Sequence, residues 1–298
     1  MKSVKLIGLD AIKAAYEKQV ELSEEGTIGL KVSKGAGGDT SLKGDIESEQ
    51  EVIKVLEKNN FPAIVYAEEH GIVKLSTDPK YLIVIDGFDG SSALAKNAKA
   101  RGGTMLTIYS NLNPKYEDAI FGGITDFSTR RILIGSEEGV YLNKSGAMKR
   151  LERLPVKHLG PHIKMHLDDP KYWGEYEEGI TSKLDKIEVV TRNHFTNKLE
   201  DKVRFSGLGS SGAMCMDLVV GEVDAVGGVS AKGVFEQPTE YLILKKLGGV
   251  IVDYNGKDIG KNYWLKDREL HKDNPVPSLR ASSPRLAKEI INYLKDLK

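Results

Sequence analysis

Apolar residues in this chain recur in two rhythms that alternate along its length. A helical spacing covers residues 9–22 and again 46–58. Short β-branched and aromatic runs at 63–67, 81–85, 104–109, 119–124 and 131–134 predict strands, joined by turns such as Asn111-Leu112-Asn113-Pro114. Residues 154–160 read as a seam between two lobes, 1–155 and 156–298. Beyond the seam, strands are predicted at 187–191, 202–205, 225–229 and 250–253, and helices at 212–220, 238–247 and 284–297. No internal repeat or low-complexity linker interrupts this order. Mixed order of this kind predicts an α+β protein of layered sheets and helices rather than a pure β-α-β alternation.

Composition narrows the class. With 298 residues, 40% of them hydrophobic and 29% charged, the chain can bury a substantial core. Its formal net charge is +0, so no global field draws nucleic acid or a membrane surface. A single cysteine, Cys215, rules out an intramolecular disulfide, fits a reducing, cytoplasmic setting, and lies in an apolar run as a structural thiol would. The N-terminus carries charges throughout, unlike a signal peptide. No apolar stretch approaches the ~18 residues of a membrane helix.

Chemistry concentrates at residues 81–92, YLIVIDGFDGSS. An apolar strand runs directly into Asp86 and Asp89. Like charges held close raise each other's pKa and oppose folding, and a divalent cation between them removes that conflict. The glycine and serine residues that follow can offer backbone N–H groups to an anion. The same letters also suit an ordinary polar turn. Three more acidic stations stand at element edges: Asp45 before the second helix, Glu68 and Glu69 after the strand at 63–67, and Glu236 at the start of the helix at 238–247. Hard divalent cations take carboxylate oxygens spread along a chain in this way.

The ordered segments GAGGDTSLKGD, AEEHG, IDGFDGSS, LGSSGAMCMDLVVGEVDA and FEQPTEYLILKKLGGVIVD resemble the inositol monophosphatase and fructose-1,6-bisphosphatase superfamily over residues 35–253. The D-x-x-D-G-[ST] element is moderately specific alone and strong in this order. The resemblance implies a two-lobed α-β-α-β-α sandwich of the sugar phosphatase type with its active site between the lobes. It also implies a lithium-sensitive phosphatase using two or three Mg²⁺ ions, with Mn²⁺ as an alternative, commonly a homodimer or homotetramer.

Site residues follow from matching positions. Glu68, Asp86, Asp89 and Glu236, with the backbone carbonyl of Phe88, are the implied metal ligands. Asp45 and Ser91 match the pair that activates water, with Glu68 reaching that water through its metal. Gly90, Ser91 and Ser92 would receive the phosphate, and Gly209, Ser210 and Ser211 would flank the polyol. Arg204 and Lys232 are candidates for a second phosphate. Three positions depart from the family pattern. Glu236 replaces an aspartate on a longer stem, Ser91 replaces threonine, and Gly87 stands where proline is frequent, which predicts a looser turn. Structural alternatives exist for two residues: Asp45 can N-cap the helix from Ile46, and Glu236 can complement a helix dipole.

Other motifs carry less. Residues 207–212, GLGSSG, fit the dinucleotide fingerprint, but the preceding run is short and charged and no opening β-α-β unit surrounds it. Asp86 and Asp89 are three apart, not two as in haloacid-dehalogenase-type phosphatases, and no EF-hand spacing is present. Tyr172, Trp173 and Tyr176 read as surface packing rather than a base platform. The expected substrate is a small phosphorylated metabolite: inositol monophosphate, fructose 1,6-bisphosphate, or a nucleotide 3′(2′),5′-bisphosphate. A non-catalytic metal- or phosphate-binding relative is the alternative from another class.

Overall fold

A computed structural model describes residues 2–34, 40–95, 97, 100–144, 146–160, 163–167, 187–189, 208–230, 234–272 and 276–296. Helices are α1 (Val4–Glu24), α2 (Lys43–Lys58), α3 (Ser91–Leu94), α4 (Ser211–Val219), α5 (Gln237–Lys246), α6 (Trp264–Leu270) and α7 (Pro284–Asp296). Strands of the larger sheet are β3 (Ala63–Ala67), β4 (Gly71–Lys74), β5 (Tyr81–Asp89), β6 (Gly103–Tyr109), β7 (Ala119–Asp126), β8 (Arg131–Ser136), β9 (Gly139–Lys144) and β10 (Ala147–Arg150). Those of the smaller sheet are β11 (Ile163–Leu167), β12 (Ile187–Val189), β13 (Ala225–Ser230), β14 (Val250–Asp253) and β15 (Val276–Ala281). A short antiparallel pair, β1 (Lys31–Lys34) and β2 (Thr40–Leu42), precedes α2.

The larger sheet has the order β10-β9-β8-β7-β6-β5-β3-β4, and only β3 and β5 run parallel. The smaller has the order β12-β11-β13-β15-β14. Helices α1 and α2 cover one face of the larger sheet, and α4 and α5 cover the other. Helix α5 also touches β14, and α7 closes the far side of the smaller sheet on β14 and β15. The layers are therefore α-β-α-β-α. Every residue of β6 is buried, as expected of a strand covered on both faces.

Helices α1 and α2 start earlier than the apolar spacing predicts. Ser3 caps α1, accepting from Leu6 N at 3.4 Å, so the helix begins at Val4. Helix α2 begins at Lys43, which makes Asp45 its third residue rather than its N-cap. The Asp45 carboxylate instead accepts the Leu42 N–H at 2.7 Å. The strand predicted at 202–205 and the aromatics Tyr172, Trp173 and Tyr176 lie outside the described residues.

The turn after Asp86 is tight, not loosened. A Cβ on Gly87 would sit 2.2 Å from the Asp45 carbonyl oxygen and 2.8 Å from Glu49 Cγ. Only glycine lets β5 approach α2 this closely. From the opposite side, Thr104 Oγ1 and Gln19 Nε2 donate to the Gly87 carbonyl at 2.8 and 3.3 Å, and Gln19 also donates to Thr104 Oγ1 at 2.7 Å. Gly87→Ala is expected to destabilise the protein by about 3 kcal/mol, since helix backbone must move to admit one methyl. Urea denaturation of the variant would measure this, and unchanged stability would contradict the close approach.

Candidate active site

Strand β5 delivers the two central carboxylates through an irregularity. In a regular strand, residues three apart point to opposite faces. Asp86 pairs with Met105 and Asp89 with Gly103, so three steps on β5 match two on β6. The extra residue is a β-bulge, and it returns both aspartates to one side. The Phe88 side chain, within this bulge, is 2% exposed and packs on Phe127 with ring centroids 5.4 Å apart.

Glu236 arrives from the other side of the molecule, at the N-cap position of α5, where its side chain makes no capping bond. One carboxylate oxygen from each of Asp86, Asp89 and Glu236 lies within 4.8 Å of the others. The longer stem of Glu236 thus reaches the cluster. Its Oε2 is buried and has no hydrogen-bond partner. Burial drives the Asp86 carboxyl well above the usual range, and the charges of Glu68, Asp89, Glu236 and Asp45 add to that. Burial likewise raises Glu236, and Asp89 contributes. Asp89 is pushed up only to about 6, because burial is opposed by bonds from Ser210 and the backbone of Gly212 and Ser211.

Glu68 follows β3, where its N–H donates to the Ile85 carbonyl at 3.1 Å. That bond places the Glu68–Glu69 turn beside the end of β5. Helix α2 fixes the turn from below. The buried Glu49 accepts the N–H groups of Glu69 at 3.1 Å and His70 at 3.0 Å, and His70 Nδ1 at 2.7 Å. Ser41 donates to the Glu69 carboxylate. Asp45 is 4% exposed, and its carboxyl is raised to about 8 by burial, with Glu69, Glu68 and Glu49 adding to the shift.

Gly90, at φ +104°, turns the chain into α3, which opens with the half-buried Ser91 and the exposed Ser92. Gly209, Ser210 and Ser211 lead into α4. The hydroxyls here are committed to protein partners. Ser210 Oγ donates to Asp89 Oδ2 at 2.6 Å and accepts from Ala213 N at 3.1 Å. Gly212 N donates to the same Asp89 oxygen at 2.6 Å. A carboxylate of the protein itself therefore fills the helix end where a dinucleotide phosphate would sit, which dismisses the G-x-G-x-x-G reading. Arg204, Lys232 and Gly207 lie outside the described residues.

Several residues the sequence reading passed over build this site: Glu49, Gln19, Thr104, Arg101, Glu240 and Arg280. Arg101 joins the end of β7 to α4, with Nε to Asp126 Oδ2 at 2.8 Å and Nη1 to Asp217 at 2.8 Å. A signal for Glu49 existed. The buried stripe of α2 reads Asp45, Ser48, Glu49, Val52, Ile53, Leu56, so polar residues occupy core positions.

Among solved structures, an inositol monophosphatase–fructose 1,6-bisphosphatase aligns over 100% of both chains with a TM-score of 0.69 at 18% identity. Leishmania major fructose-1,6-bisphosphatase aligns over 98% of this chain and 92% of its own, with a TM-score of 0.66 at 15% identity. The chain has the fold of the inositol monophosphatase and fructose-1,6-bisphosphatase superfamily. The fold that the ordered motifs imply by resemblance is thereby borne out, as is the layered α+β architecture. No family model matches the chain. A curated relative is the class 1 fructose-1,6-bisphosphatase of Campylobacter curvus (strain 525.92), 27% identical over 219 residues. That match covers 70% of this chain and 65% of the relative, just under two-thirds of its length. Among the described residues, no helix is long and apolar enough to cross a membrane.

Proposed function

We propose that the chain is a metal-dependent phosphomonoesterase acting on a small sugar or polyol phosphate. The convergence of Asp86, Asp89 and Glu236 carries this reading. Three carboxylates held this close out of water are costly unless a cation joins them. Their all-oxygen donor set fits a hard divalent ion. The buried, unpartnered Oε2 of Glu236 is the kind of atom such an ion would satisfy. In this reading Glu68, Asp86, Asp89, Glu236 and the Phe88 carbonyl hold two or three Mg²⁺ ions, which Mn²⁺ can replace. The bound metal supplies a water of lowered pKa and charge to neutralise the phosphoryl oxygens.

The remaining roles belong to the chain's own groups. Asp45, raised to about 8, exchanges its proton close to neutral pH and takes one from the attacking water when ionised. The Leu42 N–H holds one of its oxygens in place. Ser91 orients the attacking water toward it. The N–H groups at the start of α3, at Gly90, Ser91 and Ser92, receive the phosphoryl oxygens. With the Ser210 and Ser211 hydroxyls held by protein partners, the Gly209 to Ser211 segment faces substrate chiefly as a wall. Arg204 and Lys232 stay the candidates for a second phosphate. The lobes 1–155 and 156–298 would meet at this cluster in a cytoplasmic homodimer or homotetramer.

Phosphate release from fructose 1,6-bisphosphate, inositol 1-phosphate and adenosine 3′,5′-bisphosphate, with and without Mg²⁺, tests the proposal. Magnesium-dependent release from either of the first two is the expected result. Release from the adenosine ester alone would reassign the chain as a bisphosphate nucleotidase. No release from any of them by folded, metal-binding protein would make it a non-catalytic relative.

A further inference from the structure

Behind the carboxylate cluster lies a buried ion pair to which the proposed chemistry assigns no role. Arg280, in the middle of β15, is 1% exposed, and Glu240 on α5 is 0% exposed. Arg280 Nε and Nη2 both donate to Glu240 Oε2, at 2.9 and 2.6 Å. Nη1 donates to Ser278 Oγ at 2.9 Å. The neighbouring strand makes room: a Cβ on Gly228 would lie 2.5 Å from Nη1. The third member is Ser211, the first residue of α4. Its hydroxyl accepts from Arg280 Nη2 at 3.0 Å and donates to Glu240 Oε1 at 2.7 Å.

The location of this knot is what matters. Replacing a buried ion pair by apolar side chains is often neutral or stabilising, so stability alone is a weak reason to keep one here. Ser211 stands between Ser210 and Gly212, whose hydroxyl and N–H both grip Asp89 Oδ2. Glu240 is one turn beyond Glu236 on the same helix, and its N–H donates to the Glu236 carbonyl at 3.3 Å. The knot therefore ties the helix end that aims Asp89 to the first turn of the helix that carries Glu236. Those two carboxylates come from distant parts of the chain, and nothing in β5 alone dictates their separation.

We infer that Arg280 and Glu240, acting through Ser211, are positioning residues that set the placement of Asp89 against Glu236 and thereby the affinity of the site for a divalent cation. The inference rests on the metal reading given above. It predicts that the knot governs metal binding even when no substrate is present. Residues outside a metal's ligand set that orient its ligands typically contribute 10–100-fold to affinity.

The test is calorimetric titration of the full chain with Mn²⁺ in the absence of any phosphate ester, together with thermal unfolding. Ser211→Ala removes the link but leaves the ion pair intact, so it is the variant on which the test stands if Glu240→Gln does not fold. Ser211→Ala and Glu240→Gln should weaken Mn²⁺ binding by about tenfold, and Ser211→Thr, which keeps the hydroxyl, should restore it. Wild-type affinity in folded Ser211→Ala would overturn the inference, as would a lower melting temperature with no change in affinity. Absence of turnover toward every ester would defeat the proposed activity and leave this test standing. Absence of Mn²⁺ binding by the wild-type chain would defeat both.

Discussion

Asp86→Asn should abolish phosphate release and, in EDTA at pH 8, make the protein more stable than the parent. Both halves follow from one arrangement. Asp86 is 4% exposed and takes the charges of Glu68, Asp89, Glu236 and Asp45. Folding without a metal must either crowd these charges or protonate them. Asparagine keeps the shape, removes one charge from the centre and can donate to a neighbouring carboxylate. Relief of like-charge crowding at a buried functional site is worth about 2 kcal/mol. The same change withdraws a ligand from the middle of the proposed metal set. A loss of at least about 10³-fold in turnover is expected, equivalent to roughly 4 kcal/mol of barrier. Urea denaturation in EDTA and a phosphate assay in excess Mg²⁺ would read the two effects. Retained activity would remove Asp86 from the metal set, and lower stability would mean that its charge is compensated in the metal-free fold.

The opposing demands on Asp86 also explain why it was visible in the sequence. A carboxylate at the end of a run such as Tyr81-Leu82-Ile83-Val84-Ile85 breaks the local pattern, and Asp89 breaks it again. Such conflicts between local preference and position mark functional sites. Elements that keep a clean period were equally legible, as with β3, which spans the predicted 63–67. Strand β10 reads Ala147-Met148-Lys149-Arg150 and is exposed throughout, so no apolar period announces it. Strand β15 contains Pro277 and Arg280, both of which argue against a central strand, yet it lies between β13 and β14. Glu240, Ser278 and Ser211 accept hydrogen bonds from Arg280 and make a buried guanidinium tolerable there. Those partners come from distant segments, so no local window could reveal the knot. A glutamate in a helix reads as a solvated face, and only tertiary packing shows that Glu240 points inward. The bulge between Asp86 and Asp89 was likewise hidden, because it is a relation between β5 and β6 rather than a property of either.

Removing the metal should make the protein's stability depend on pH in a definite direction. Unfolded carboxylates titrate near pH 4. In the folded, metal-free chain Asp45 is raised to about 8 and Asp89 to about 6, and Asp86, Glu49 and Glu236 are also raised. Between about pH 4 and pH 8 the folded chain therefore binds more protons than the unfolded chain, and its stability falls as pH rises through that window. Below about pH 4 both states are protonated and the contribution is fully present. A divalent cation replaces the protons, so its stabilising effect should be small at pH 5 and large at pH 8. Each raised group contributes up to about 1.4 kcal/mol per pH unit while it titrates. A net difference of about 3 kcal/mol between the two pH values corresponds to roughly 6–12 °C in melting temperature for a chain of this size. Thermal unfolding at pH 5 and pH 8, each with Mg²⁺ and with EDTA, measures it. Equal Mg²⁺ shifts at both values, or an EDTA-treated protein that is more stable at pH 8 than at pH 5, would mean that the buried carboxylates are already compensated by the chain's own cations. Among the described residues, Arg280 is a cation whose charge reaches Glu236, and it already holds Glu240. It can share its charge with the cluster but cannot replace a divalent ion, which is why the metal-free site should keep its protons.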